Sequence, residues 1–346
     1  MRILVDILHP KQAHFFRPLI RGWRERGDVV QIVTRDKDIT HRLLDGFGFS
    51  YICLSKQAKK GGLLFELVQR WLKLAVLIRK FRPDITMSVT GISTALSSKS
   101  LGVPSIAFTD TETATVSNRI AFPFADRILT PTWFIGDFGP RHYRYRGFHE
   151  WSYLHPSEFH ANPEIVRAEG LDPSQPYAVA RLVRWDAVHD RQERGLSTNE
   201  AVTLIKELSK RMRVVLSSES APLPELEPFV CKFHPENIHH VMAFSRLMVG
   251  ESPSMSTEAA LLGVPSVLIS SWARRVGNMQ VLEQEFKLMQ VYDQGKEAIP
   301  AALDLADSPP SSQSIAASRS ALVRNLECIP DVVNHHIGEL LGKGHV

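Results

Sequence analysis

Short apolar runs typical of buried strands alternate with helical patterns along the whole chain, and this alternation constrains the fold most strongly. In the first half these runs are RILVDIL, VVQIVT, YICL, ITMSV, PSIAFTD and RILTPT. After a loop-rich connector the pattern restarts with YAVARLV, RVVLSS, RLMVG and PSVLIS. Strands separated by helices pair in parallel, so the sequence predicts an α/β fold with two successive doubly wound domains. The predicted domains are 1–160 and 161–330, with residues 331–346 forming a helix that crosses back to the N-terminal domain.

Composition is that of an ordinary globular chain, but the charge is uneven. Hydrophobic residues make up 44% of the 346 residues, and no apolar run approaches the roughly 18 residues needed to span a bilayer. Residues 1–160 carry 23 Lys and Arg against 14 Asp and Glu, whereas the remainder carries 18 against 23. The basic first half favours an anionic partner such as a phosphorylated lipid, an anionic glycan or a membrane surface.

Other partner classes are less favoured by the residues. No Arg/Lys-aromatic recognition motif is present, so we expect no nucleic-acid partner. Three scattered cysteines indicate neither a disulfide framework nor a cysteine-based zinc site, and histidines show no metal-binding spacing. We therefore expect a cytoplasmic protein without a metal site or a cofactor.

The stretch GESPSMSTEAALLGVPSVLIS (250–270) places hydroxyl residues and the acid Glu258 between two apolar strands. Ser252 suits the N-cap of the intervening helix, and Pro253 suits its first position. The next backbone N–H groups and the helix dipole would bind phosphate, the hydroxyls would add donors, and the acid would accept from ribose hydroxyls. The simpler alternative is that the serines only cap and the acid only complements the dipole. The candidate binding residues are Ser252, Ser254, Met255, Ser256, Thr257 and Glu258.

This stretch resembles the carboxyl-terminal nucleotide-sugar motif of GT-B glycosyltransferases and of non-hydrolysing UDP-N-acetylglucosamine 2-epimerases. The whole chain resembles a bacterial and archaeal GT-B-like family catalogued as domain of unknown function 354. The matching segments are DILHPKQAHFF, TRDKDIT, FTDTE, YRGFHEWSYLHPSEF, RWDAVHD and EAALLGVPS. The resemblance implies a GT-B-like fold with two Rossmann-type domains facing across a cleft, and a ribose-binding role for Glu258. One departure is that Ser252 and Pro253 stand where these families usually carry glycines, which let backbone approach phosphate closely.

Candidate catalytic groups follow the strands of the first domain. His9 and His14 come after the first strand, and a histidine at a helix start can act as a general base on an acceptor hydroxyl. The resemblance extends this role to either histidine, whereas the alternative is that His14 caps or packs beside Phe15. Asp110 and Glu112 are alternative bases, unless they only cap the following helix.

Further candidates lie in the second domain. Arg184 or Arg181 could neutralise a departing diphosphate, and Asp186 and His189 follow in the same polar segment as substrate contacts. By the resemblance, Phe233 corresponds to a position that contacts the nucleobase in related enzymes. By the same resemblance, Asn278 and Gln280 would read sugar hydroxyls.

The first functional hypothesis is a metal-independent GT-B glycosyltransferase that uses a nucleoside-diphosphate sugar, preferably UDP-linked, in cell-envelope glycan or glycolipid synthesis. Its acceptor would be a glycan or a lipid-linked molecule. A second hypothesis is epimerisation or hydrolysis of the sugar nucleotide, with Asp110 and Glu112 as acid and base. A third is a non-catalytic sugar-nucleotide-binding protein. The segment 56–82 is either a core helix with solvated flanking charges, which is the commoner case, or a helix resting on the inner face of an anionic membrane.

Overall fold

The structure is a computed structural model that describes residues 1–56, 62–183, 195–218 and 223–342. The chain divides into two compact units, each with its own parallel sheet. The first unit comprises residues 1–158 and 327–346, and the second comprises residues 159–326.

The first unit contains a seven-stranded parallel sheet in the order β3-β2-β1-β4-β5-β6-β7. Its strands are β1 (Arg2–Ile7), β2 (Val29–Asp36), β3 (Tyr51–Lys56), β4 (Ile85–Val89), β5 (Ser105–Phe108), β6 (Arg127–Pro131) and β7 (His142–Tyr145). Its first helices are α1 (Pro10–Glu25), α2 (Thr40–Gly46), α3 (Leu63–Phe81), α4 (Ile92–Leu101), α5 (Thr115–Ala121) and α6 (Trp151–Leu154). The central strands β1, β4 and β5 are almost entirely buried, as expected when helices cover both faces of a parallel sheet.

The second unit contains a five-stranded sheet in the order β12-β11-β10-β8-β9. Its strands are β8 (Tyr177–Leu182), β9 (Arg213–Ser218), β10 (Leu247–Gly250), β11 (Ser266–Ile269) and β12 (Met289–Tyr292). Its helices are α7 (Pro163–Ala168), α8 (Thr198–Ser209), α9 (Ile238–Ala243), α10 (Pro253–Leu262), α11 (Gly277–Gln284), α12 (Gly295–Asp307) and α13 (Ser312–Val323).

Two strands differ from the sequence prediction. Strand β7 lies within the loop-rich connector, and β12 follows PSVLIS, which is the last of the predicted strands. Both are edge strands of four residues with mixed polarity, so neither has the apolar run that identifies a buried strand. These two strands are recognised by their backbone pairing to the neighbouring strand. In β7, for example, His142 pairs with Ile128 of β6.

The last helix, α14 (Ile329–Leu341), packs within the first unit. The Trp23 indole N–H donates to Asn334 Oδ1 at 2.9 Å, and Arg127 lies 3.7 Å from the Glu339 carboxylate. The chain therefore enters the second unit after residue 158 and ends in the first.

Candidate functional site

A buried cluster of charged side chains lies at the carboxyl edge of the first unit's sheet. Lys11 comes from the first turn of α1, Asp110 follows β5, and His149 and Glu150 follow β7. The Lys11 ammonium pairs with the Asp110 carboxylate and lies 2.7 Å from Glu150 Oε1, while His149 Nδ1 lies 3.2 Å from Asp110 Oδ2. The Lys11 side chain is 21% exposed and the Glu150 side chain 2%, so solvent reaches the cluster mainly at the lysine. We call these four residues the first-unit cluster.

The two carboxylates of this cluster have pKa values shifted in opposite directions. Burial acts to raise the pKa of Asp110, but His149 and Lys11 outweigh it and hold that pKa well below its usual range. Burial raises the pKa of Glu150, and Lys11 only partly opposes this shift. Burial would lower the pKa of Lys11, yet Asp110 and Glu150 reverse the effect and raise it. The arrangement places a carboxylate with a lowered pKa beside one with a raised pKa, and such a separation of pKa values is typical of acid and base pairs in enzyme sites.

Three polar atoms around the cluster are buried and, among the described residues, make no hydrogen bond: Tyr145 Oη, His149 Nε2 and Glu150 Oε2. Buried polar groups are normally satisfied, because an unsatisfied one costs about 1–3 kcal/mol. Burial, reinforced by Asp110 and Glu150, raises the pKa of Tyr145 well above its usual value, so its hydroxyl remains a donor. The cluster therefore has unused hydrogen-bonding capacity next to its titratable groups.

The other candidates of the first unit lie outside this cluster. His9 is the exposed N-cap of α1, where its Nδ1 accepts from the Lys11 N–H at 3.3 Å. His14 is 6% exposed and its ring lies 5.3 Å from those of both Phe47 and Tyr153. Glu112 Oε1 accepts from the Ile135 backbone N–H at 2.9 Å. We infer a capping role for His9, a packing role for His14 and a loop-holding role for Glu112.

The strand–turn–helix from β10 to α10 has the cap that the sequence predicts. Ser252 is the N-cap, and Pro253 occupies the first helical position. The Ser252 hydroxyl accepts from the Met255 N–H at a long 3.4 Å, and the Ser252 carbonyl accepts from the Ser256 N–H at 3.0 Å. The N–H groups expected to bind phosphate are those of Ser254, Met255 and Ser256, and the last two therefore have partners within the turn.

Burial separates the predicted binding residues of α10 into two groups. Ser252, Ser254 and Met255 are half-buried, whereas the side chains of Ser256 and Thr257 have no exposed surface. The Thr257 hydroxyl donates back to the Pro253 carbonyl at 3.0 Å. Only the first group presents side-chain surface to a ligand, and the second group packs the helix against its unit.

Glu258 is 6% exposed, and its Oε1 lies 3.1 Å from His239 Nε2 on α9. Phe233 and Met255 are half-buried against one core cluster of the second unit. Asn278 is buried on α11, where its Oδ1 has no hydrogen-bond partner among the described residues. The Gln280 amide donates to the Arg274 carbonyl at 2.7 Å.

Gly250 and Glu251 prepare the turn and were missing from the sequence prediction. Gly250 has a φ of 145°, and a Cβ there would lie 2.0 Å from the Arg181 carbonyl oxygen at the end of β8. The buried Glu251 carboxylate accepts from the Val183 N–H at 3.1 Å and from the Leu196 N–H at 2.7 Å. These two donors flank residues 184–194 in the sequence, and the predicted site residues Arg184, Asp186 and His189 lie outside the described residues.

Sequence reasoning also missed Lys11, His149, Glu150 and His239. Lys11 lies in DILHPKQAHFF, and the His149–Glu150 pair lies in YRGFHEW, so both were within matching segments but no local pattern singled them out. Within the described part of the chain, no group of three or more His, Cys, Asp or Glu is arranged to hold a metal ion. In the same part, no helix is long and apolar enough to cross a membrane.

The two parallel Rossmann-like sheets define a GT-B-fold protein, and solved structures show the same fold. A putative UDP-N-acetylglucosamine 2-epimerase from Listeria monocytogenes matches with a TM-score of 0.72 at 11% identity, covering 100% of this chain and 98% of that one. A UDP-GlcNAc 2-epimerase from Neisseria meningitidis bound to UDP-GlcNAc matches with a TM-score of 0.69 at 11% identity, covering 99% of each chain. The spinosyn forosaminyltransferase SpnP matches with a TM-score of 0.64 at 14% identity, covering 99% and 100%.

The chain itself belongs to the family described as "Protein of unknown function (DUF354)", whose model matches residues 1–311. A relative, the uncharacterized protein MJ0665 of Methanocaldococcus jannaschii, is 22% identical over 280 residues, which cover 77% of this chain and 80% of that protein. The predicted family and the predicted GT-B-like pair of Rossmann-type domains are both confirmed.

Proposed function

We propose that the protein is a metal-independent glycosyltransferase that uses a nucleoside-diphosphate sugar, with UDP as the preferred nucleotide. The observation that carries this proposal is the first-unit cluster, where Asp110 and Glu150 have oppositely shifted pKa values beside Lys11. The fold supports it, because similar structures include a UDP-GlcNAc 2-epimerase bound to UDP-GlcNAc and a forosaminyltransferase. The reaction as proposed uses no cofactor and takes place in the cytoplasm, in cell-envelope glycan or glycolipid synthesis.

The second unit would bind the donor. Ser252 and Ser254 lie at the N-terminus of α10, where the positive end of the helix dipole favours the diphosphate. The long bond of the Ser252 hydroxyl to Met255 leaves that hydroxyl easy to redirect toward a phosphate oxygen. Glu258 would accept from the ribose hydroxyls, with His239 holding its carboxylate. Phe233 is proposed to contact the nucleobase, and Asn278 and Gln280 the sugar. Arg184 would stabilise the departing diphosphate, and Asp186 and His189 are proposed as further substrate contacts.

The first unit would handle the acceptor proton. In the transfer step, the bond from the sugar C1 to the diphosphate oxygen breaks and a bond from the acceptor oxygen to C1 forms. The proton of the acceptor hydroxyl passes to the Glu150 carboxylate, whose raised pKa makes it a stronger base than Asp110. Asp110 stays ionised and holds Lys11 in place. We therefore assign the general base to Glu150 rather than to His14, whose ring packs against Phe47 and Tyr153.

A second candidate, epimerisation or hydrolysis of the sugar nucleotide, is favoured by the same pair of carboxylates. Glu150 would be the acid and Asp110 the base, replacing the pair of Asp110 and Glu112 that the sequence suggests. Glu112 is instead bonded to the Ile135 backbone.

The test combines binding and turnover. Calorimetry with UDP, GDP, dTDP, CMP and their common sugar conjugates is run on the wild type, Glu258→Gln, Glu150→Gln and the control Glu112→Gln. We expect one nucleotide to bind, and Glu258→Gln to weaken it by about 10- to 100-fold because a charged hydrogen-bond acceptor is lost. Glu150→Gln should bind normally but slow turnover by at least about 100-fold. The control should match the wild type in both assays.

Release of the nucleotide separates the reactions. Release only in the presence of a glycan or lipid-linked acceptor supports a transferase, whereas acceptor-independent release or isomerisation supports the second candidate. Binding without turnover under all conditions would identify a non-catalytic binding protein. Absence of binding by the folded wild type would contradict the proposal.

A further inference from the structure

Helix α3 buries charged side chains and exposes large apolar ones, which is the reverse of an ordinary surface helix. Its buried residues are Glu66, Arg70, Leu74 and Ile78, two of which are charged. Its exposed side carries large apolar residues, with Leu64 72% and Phe65 74% exposed. Six of these exposed residues, which follow the first residue of the helix, are called the α3 apolar face: Leu64, Phe65, Val68, Trp71, Leu72 and Val76. The commoner interpretation of this segment, a core helix with solvated flanking charges, does not describe it.

The buried charges fix which side of α3 faces outward. Glu66 accepts from Arg35 at 2.7 Å and from the Ser55 hydroxyl at 3.0 Å. Arg70 pairs with the fully buried Asp6 and donates to the Thr34 carbonyl at 2.8 Å. Because these bonds join α3 to the ends of β1, β2 and β3, rotating the helix to bury its apolar face would leave both charges without partners.

The apolar face forms one continuous stripe with a basic border. Leu64, Val68, Leu72 and Val76 follow each other at intervals of four residues, which places them in one row along the helix. Exposed cations border the stripe at Lys73 and, near the helix end, at Arg79 and Lys80. Glu66 is the single acid within α3 and is buried, so the exposed side of this helix carries cations without any carboxylate.

We propose that the α3 apolar face docks on an anionic lipid bilayer, with the apolar side chains in the acyl boundary and the lysine and arginine side chains at the lipid phosphates. The apolar residues match the acyl boundary of a membrane surface, and the cations beside them match its layer of lipid phosphates. A second copy of the chain fits less well, because a two-fold contact would bring these cations near each other without carboxylates to pair them. The docking does not depend on the proposed function, and it is measured without a nucleotide sugar.

The experiment is co-sedimentation of the full chain with vesicles of phosphatidylglycerol and phosphatidylcholine in equal amounts, and with phosphatidylcholine alone. We expect binding to the anionic vesicles that weakens as salt increases. The variant Leu64→Gln/Val68→Gln/Leu72→Gln/Val76→Gln should lose at least tenfold in affinity. Lys73→Gln/Arg79→Gln/Lys80→Gln should lose about 100-fold, at about fivefold per cation.

A matched control changes exposed apolar residues elsewhere in the first unit. Val29 and Ile135 are 51% and 54% exposed, and Val29→Thr/Ile135→Thr should bind vesicles as the wild type does. Circular dichroism and thermal melting check that each variant folds. Failure of the folded wild type to bind anionic vesicles would overturn the proposal, as would equal losses in the control. A wild-type dimer that the four-residue apolar variant converts to a monomer would assign the face to a second copy instead.

Discussion

The two units prepare their carboxyl edges in different ways. In the first unit, the polar groups are ions drawn from distant parts of the chain, since Lys11 and Asp110 are 99 residues apart and His149 and Glu150 come later still. In the second unit, the corresponding groups come from one short stretch, where the hydroxyls of Ser252 and Thr257 bond within the stretch and the carboxylates of Glu251 and Glu258 bond to groups outside it. The first edge is therefore built by topology and charge, and the second by local helix capping and backbone fit.

The two units should therefore be sensitive to substitution in different places. Ions buried together stabilise a fold only as a set, because removing one leaves the others uncompensated. A capping hydroxyl contributes little by itself, and its loss leaves groups that solvent can satisfy. The second unit's sensitivity should instead lie in its backbone at Gly250, where β10 leaves no room for a Cβ beside Arg181 of β8.

The largest expected effect is that of Gly250→Ala. The added Cβ would lie 2.0 Å from the Arg181 carbonyl oxygen, and the φ of 145° is one that alanine rarely adopts. Strain and overpacking together should lower the free energy of unfolding by about 3 kcal/mol or more. Urea denaturation monitored by tryptophan fluorescence measures the loss.

The matched control is Gly170→Ala in the same unit. Gly170 also has a positive φ, 78°, but a Cβ there would have no heavy atom within 4 Å. Its cost should be about 1 kcal/mol, from the backbone conformation alone. Equal costs for the two variants would show that the approach of β10 to β8 is not what holds the turn.

The next effect is that of Lys11→Met, which removes the cation from the first-unit cluster. Asp110 and Glu150 would then be buried beside each other without it, and we expect a loss of about 3 kcal/mol at pH 7. Lys210→Met is the control, because Lys210 forms an exposed pair with Glu207 and should cost below about 0.5 kcal/mol.

The cost of Lys11→Met should shrink as the pH falls from 8 to 5. Without the lysine, the pKa of Glu150 rises further above its unfolded value, while His149 still acts to lower that of Asp110. The folded variant therefore binds more protons at Glu150 than the wild type does, and it gains more stability on acidification. In the wild type, Asp110 gives no gain in stability on acidification. Its lowered pKa stabilises the fold fully above about pH 4, and this stabilisation is lost as the pH falls further. Urea denaturation of both proteins at four pH values measures the gap, and a gap that stays constant would argue against ionic compensation in the cluster.

The sequence predicts the local features of the molecule far better than the distant ones. The helix predicted within residues 56–82 is α3, and Ser252 and Pro253 take their predicted capping positions. Both predictions succeed because hydrophobic runs and caps depend on adjacent residues. Strand β7 and the first-unit cluster were missed, since each depends on partners that the topology brings together. The exposed apolar side of α3 was also not predicted as such, because the buried partners of its charges lie on three separate strands or strand ends.

The smallest expected effect is that of Ser252→Ala, and it separates capping from ligand binding. The hydroxyl makes a long 3.4 Å bond to the Met255 N–H, so its removal should cost only about 0.5 kcal/mol of stability. Ser197 caps α8 in the same unit, in a reciprocal capping box with Glu200, and Ser197→Ala should cost about 1 kcal/mol. If Ser252 binds phosphate, nucleotide affinity measured by calorimetry should fall several-fold in Ser252→Ala and stay unchanged in Ser197→Ala. Ser197→Ala would then bind the nucleotide more tightly than Ser252→Ala although it is the less stable variant. A purely structural role for Ser252 does not predict that order. Equal affinities in the two variants would leave Ser252 with a capping role alone.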